Sequence, residues 1–153
     1  MTPLLKKLNF KSHKEILLIS APIEFKAETE AMKEFTSIKK NIDTVKSIDF
    51  ILSFVKSETE VEQLSSKIDN KLNEDGIVWF AFPKKTSKKY QVEINRDFGW
   101  SSLGELGYEP VRSVAIDEDW SALRFRKVAF IKTMKRNSSL AMSKEGKSRI
   151  KKK

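Results

Sequence analysis

The chain has 153 residues and a formal charge of +9, with 39% apolar residues including ten Phe and three Trp. It contains no cysteine, which excludes disulfides, thiolate catalysis and Cys-ligated metal, and His13 is its one histidine, which excludes a His-pair metal site. No apolar run reaches the roughly 18 residues that span a bilayer, so a cytoplasmic protein with no membrane partner is expected.

The charge is unevenly spread. Residues 1–132 carry 22 Lys and Arg against 20 Asp and Glu, whereas residues 133–153 carry 8 against 1. This predicts a nearly balanced single α/β domain over 1–132 and a basic disordered tail over 133–153. The tail has too few large apolar residues to offset its ordering entropy.

In chain order, Glu15–Ala21 reads as a buried strand closed by Pro22. A helix is predicted over Lys26–Phe35 with Ala31, Met32 and Phe35 inward, then a short edge strand at Ser37–Lys40. Ile48–Val55 is a second buried strand, rich in branched and aromatic residues. Ser57 with Glu60 three residues later has the capping-box arrangement, and Val61, Leu64, Ile68 and Leu72 recur at helical spacing. Gly76 is expected to supply the turn into a third buried strand, Ile77–Phe82. Asn95 is read as the cap of a helix reaching Leu106 and stopped by Gly107. Glu109–Asp117 and Trp120–Ile131 are two strands joined by an acidic turn, so they pair antiparallel, with a bulge expected near Lys127. Together these elements predict an α/β fold: a three-layer Rossmann-like sandwich whose mostly parallel sheet ends in an antiparallel β-hairpin.

That ending resembles the second half of the class I S-adenosylmethionine-dependent methyltransferase fold, one or two elements short. The phrases IVWFAFPK and DEDWSALRFRK resemble a bacterial domain-of-unknown-function family of short methyltransferase-like proteins, over about Leu8 to Met134. The resemblance implies the fold and no assigned activity. Methyltransferases place a glycine-rich turn after the first strand, where this chain has Ser20-Ala21-Pro22-Ile23-Glu24, with no glycine and a proline lacking an N–H. The acidic residue that would hold the ribose has only Asp43 as a candidate. Lys56-Ser57-Glu58 lacks the Asn/Asp-Pro-Pro-aromatic motif of amino-methylating members. No cofactor, metal ligand or catalytic residue is therefore assigned.

Open parallel sheets bind ligands beyond the carboxyl ends of their strands, and here the third strand runs into Lys84, Lys85, Thr86, Ser87, Lys88 and Lys89. These residues, next to the expected helix start at Asn95, suggest a site for an anionic partner, nucleic acid or another polyanion. The loop has no glycine and is not a P-loop. Trp100 is expected half exposed beside it, as a stacking ring. Arg124 and Arg126 share one strand face and either bind phosphate or pair internally with Asp117, Glu118 and Asp119. In that turn Asp119 is expected to cap and Trp120 to pack beneath, while Trp79 and His13 are read as structural. Three readings stay open: a non-catalytic methyltransferase-like domain binding a polyanion through the lysine loop and tail, an enzyme with a nucleotide-like cofactor in a modified pocket, and a protein-interaction module. The first is adopted.

Overall fold

The structure, a computed structural model, describes residues 2–131; the basic tail at 133–153 lies outside the described residues. Six strands form one sheet: β1 (Glu15–Ile19), β2 (Ser37–Lys39), β3 (Ile48–Phe54), β4 (Leu72–Pro83), β5 (Tyr108–Ala115) and β6 (Trp120–Lys127). Their spatial order is β2-β1-β3-β4-β6-β5. The first four are parallel, and β6 inserts antiparallel between β4 and its hairpin partner β5.

Both faces of the sheet are apolar, so helices cover both. On one face Ile77, Trp79 and Ala81 of β4 pack with Phe50, Leu52 and Phe54 of β3, under Leu5 and Leu8 from α1 (Pro3–Lys7) and its exit, and under Phe25 and Met32 from the start and end of α2 (Lys26–Met32). On the other, Val78, Phe80 and Phe82 pack under Val61 and Ile68 of α3 (Glu58–Lys71) and Leu103 of α4 (Ser101–Glu105). This alternation within one continuous apolar run is what a strand covered on both sides requires. The result is the three-layer sandwich expected from the sequence.

The cap of α3 is as predicted: the Glu60 amide donates to Ser57 Oγ at 3.2 Å, and Glu60 Oε1 accepts from the Lys56 amide at 2.9 Å. Several boundaries differ. α2 stops at Met32, which leaves Phe35 43% exposed rather than inward, and Ala31 half-buried. Strand β4 begins at Leu72 directly after α3, and the left-handed residue is Asp75 (φ 50°), not Gly76. Gly76 is needed for a close approach instead, since a Cβ there would lie 3.1 Å from the Ile48 carbonyl oxygen. The hairpin irregularity lies between Pro110 and Arg112 rather than at Lys127, because β6 ends at Lys127 and Val128–Phe130 forms a 3-10 turn. Helix α1 was not foreseen. Thr2 caps it, accepting from the Leu5 amide at 3.0 Å, with Pro3 in the first turn.

Candidate functional site

The carboxyl ends of β1, β3 and β4 and the start of β6 meet at one edge of the sheet. Cross-strand register puts Pro83 opposite Trp120, so the loop after β4 and the acidic turn before β6 are neighbours. The Lys84 amide donates to the Asp119 carbonyl at 2.8 Å and the Ser87 hydroxyl to Asp119 Oδ1 at 2.9 Å. Ser87 Oγ in turn accepts from the Lys89 and Tyr90 amides, so this hydroxyl shapes the loop. Asp117, not Asp119, is the capping residue of the turn: its Oδ1 accepts from the amides of Asp119 and Trp120, both at 2.8 Å.

Glu24, in the 3-10 turn Ile23–Phe25 after β1, joins these loops. Its carboxylate accepts from the Tyr90 hydroxyl at 2.5 Å, Trp120 Nε1 at 3.2 Å and Lys89 Nζ at 3.2 Å. Desolvation pushes the Glu24 carboxyl up, but the hydrogen bonds from Tyr90, its own backbone amide, Trp120 and Lys89 outweigh it and bring the pKa down to about 2. The same contact, after desolvation, pushes the Tyr90 phenol up to about 12. Lys56 and Lys89 also stand over the Tyr90 ring, 5.0 and 5.7 Å from its centroid. Beneath this knot, Phe25, Phe54, Trp120 and Tyr90 form a continuous chain of rings with centroids 4.9 to 5.0 Å apart.

This edge does not fit the S-adenosylmethionine that the methyltransferase resemblance implies. In the turn after β1 the left-handed position falls on Ser20 (φ 57°), where a side chain stands in place of a glycine, and Pro22 offers no N–H. The Glu24 carboxylate in the same turn is already bonded by Tyr90, Trp120 and Lys89. Asp43 makes an exposed pair with Lys67 of α3 at 3.3 Å.

The lysine-loop residues do come together, around an open cleft of about 400 Å³ lined by Thr86, Lys88, Lys89, Glu118 and Asp119. Lys89 is committed to Glu24. Among the described residues Lys84, Lys85 and Lys88 make no ion pair, and Lys85 and Lys88 are exposed. Asp117, Glu118 and Asp119 do not form a metal-holding group among the described residues.

Three expected members of the site lie elsewhere. Trp100 is 2% exposed, packed against Phe80, Phe82 and Phe125 on the α3 side of the sheet, with Nε1 donating to the Asn95 carbonyl. It offers no stacking face. Asn95 caps no helix: Asn95–Phe98 closes a tight turn, and α4 begins only at Ser101, where the Trp100 side chain makes no capping bond. Arg126 makes a two-pronged pair with Asp75 (2.7 and 2.6 Å), so internal pairing holds, but with a carboxylate at the far end of β6 from the acidic turn. Arg124 lies on that same far stretch, beside Trp79 and Arg112 in register. His13 packs against the rings of Phe10 and Phe50 at the amino end of β1, where burial lowers its pKa. Glu24 and Tyr90, missed as partners in the sequence, are 66 residues apart.

No protein-family model and no curated protein matches the sequence. Among solved structures, the N-methyltransferase NodS from Bradyrhizobium japonicum WM9 superposes with a TM-score of 0.52 at 14% identity, over 81% of this chain and 92% of that one. The Methanococcus jannaschii fibrillarin pre-rRNA processing protein gives 0.49 at 14% identity, over 76% and 67%. At such identity the likeness to NodS is one of fold, and it agrees with the six-stranded, mostly parallel sheet. The chain has a Rossmann-like fold of the class I methyltransferase type.

Proposed function

We propose that this methyltransferase-like domain is non-catalytic and binds an anionic partner, single-stranded nucleic acid, over the carboxyl ends of its strands. One observation carries the reading: Glu24 in the turn after β1 is taken up by Tyr90, Trp120 and Lys89, while Lys84, Lys85 and Lys88 are left without acidic partners among the described residues. Lysines bind phosphate as point charges and do not need a glycine-rich cradle. Glu118, across the cleft, favours a partner that approaches from the lysine side. The tail at 133–153, with its 8 basic residues against 1 acidic, adds non-specific attraction in this reading.

Fluorescence anisotropy of a labelled oligonucleotide across a salt series tests it. Replacing Lys84, Lys85 and Lys88 with Ala should weaken binding and flatten the salt slope by about 0.7 for each phosphate no longer neutralised. An unchanged slope would leave the tail as the whole source of affinity. Calorimetry with S-adenosylmethionine checks the other half: a dissociation constant tighter than about 100 μM, near 5.5 kcal/mol of binding, would restore the cofactor reading.

A further inference from the structure

The β5–β6 hairpin carries a second cationic group, independent of the lysine loop. Arg112 and Arg124 stand directly opposite each other in the antiparallel register. They share the face of Val114 and Ala122, and Arg126 follows two residues on. Arg124 lies four residues along β6 from Trp120, about 13 Å at the usual rise per residue, so this group is remote from the lysine cleft.

Like charges directly opposite one another are unfavourable in a sheet, and the nearby Asp75 charge offsets this only in part for Arg124. Both Asp75 oxygens face Arg126. Glu109, opposite Arg126 in register, is fully buried. Asp75 is thus taken by Arg126, and neither Arg112 nor Arg124 makes an ion pair among the described residues. Arg124 is half-buried and its Nε has no hydrogen-bond partner among the described residues. A buried donor left unmet is costly, and because this nitrogen is closed to solvent a ligand would meet the outer nitrogens of the guanidinium. Burial, and then the charges of Arg126 and Arg112, also lower the Arg124 pKa, which reports the same crowding of positive charge.

We propose that Arg112 and Arg124 form a binding site for a phosphate-type oxyanion on the outer hairpin. A tetrahedral oxyanion has enough oxygens to meet both guanidinium groups at once, which a single carboxylate shared between them does less well. The strands hold the two Cα positions opposite each other, which limits how far the side chains must search for a shared ligand. The ion itself and a phosphomonoester carried by a small metabolite present the same chemistry.

The test is an NMR titration of arginine Nε–Hε resonances in the full chain, at constant ionic strength, with inorganic phosphate and separately with glycerol phosphate. Saturable shifts of the Arg112 and Arg124 signals are expected. Arg124→Gln should raise the half-saturating concentration about tenfold, the effect of losing one charge-assisted hydrogen bond. Arg112→Gln, at an exposed position that leaves the core untouched, should do the same. Tighter binding of phosphate points to the free ion, and tighter binding of glycerol phosphate to an ester; either supports the site. The triple Lys84, Lys85 and Lys88 variant should titrate like wild type, which keeps this result separate from that of the lysine loop. Absence of a saturable shift, a shift undiminished in both arginine variants, or loss of the shift in the lysine variant would overturn the proposal.

Discussion

At the carboxyl ends of the strands, Glu24 is one acid served by three side-chain donors, whereas on the outer hairpin Arg124 is a half-buried base with a donor left over. The difference follows from what holds each group. Tyr90 and Lys89 sit on a loop, and the loop closes until its donors meet the carboxylate. Arg112 and Arg124 sit on paired strands, where a shift of one residue would turn every core side chain outward. Their Cα positions cannot move apart. The first region is satisfied internally and leaves only its outer lysines for a ligand; the second keeps its unmet group fixed in place.

The largest expected effect probes whether the first region is part of the core. Trp120 is 1% exposed, lies between the rings of Phe54 and Tyr90, and donates to Glu24. Trp120→Ala should cost about 3–5 kcal/mol, as other large aromatic truncations do. Urea denaturation reads this directly. A loss below about 1 kcal/mol would mean that the ring chain is a loosely closed mouth, well short of the usual cost of such a truncation.

A smaller effect isolates the acid. Tyr90→Phe keeps the ring and removes the hydroxyl that Glu24 accepts, at a cost of about 1 kcal/mol near neutral pH. Its pH dependence is more telling than its size. A carboxyl whose pKa is depressed on folding stabilises the fold above its ordinary value and loses that contribution as pH falls. For Glu24 the window runs from 4.5 down to about 2. Wild type should therefore lose stability over that range more steeply than Tyr90→Phe, and Glu24→Gln should lose the least. Parallel acid-unfolding curves for the three proteins would show that the hydrogen bond does not act on the titration of Glu24.

Much of the fold was readable because its signals are local. The runs IDFILSF and IVWFAF are too apolar for a half-exposed strand, and Ser57 with Glu60 marks a helix start within four residues. The segment 95–106 misled because Asn95 has an equally local alternative: its side chain accepts from the Asp97 amide and forms a turn. That choice, with Gly99 at φ 108°, delays the helix and drops Trp100 into the core. The lysine loop was visible as composition, but its internal ties were not. Glu24 meets Tyr90 and Trp120, and Asp75 meets Arg126, across separations of 51 to 96 residues, and no periodicity encodes such meetings. Thr2 followed by Pro3 was the one plain signal left unread, and it marks α1.

The smallest expected effect is on the lysines themselves, and it sharpens the line between the satisfied knot and its outer rim. Lys84, Lys85 and Lys88 touch no core residue through their charges, so replacing all three with Ala should change stability by less than about 0.5 kcal/mol. Lys89 differs because it bonds Glu24 and stands over Tyr90, yet its side chain is 52% exposed. Solvent screens such a pair, and Lys89→Ala should add at most about 0.5 kcal/mol to the loss. Thermal unfolding of the triple variant and of the same variant with Lys89→Ala measures both steps. A triple variant clearly more stable than wild type would show that crowded lysines strain the loop, as expected of charges held for a ligand. A large loss would instead place these lysines in the knot, and the surface left for an anionic partner would shrink to the tail.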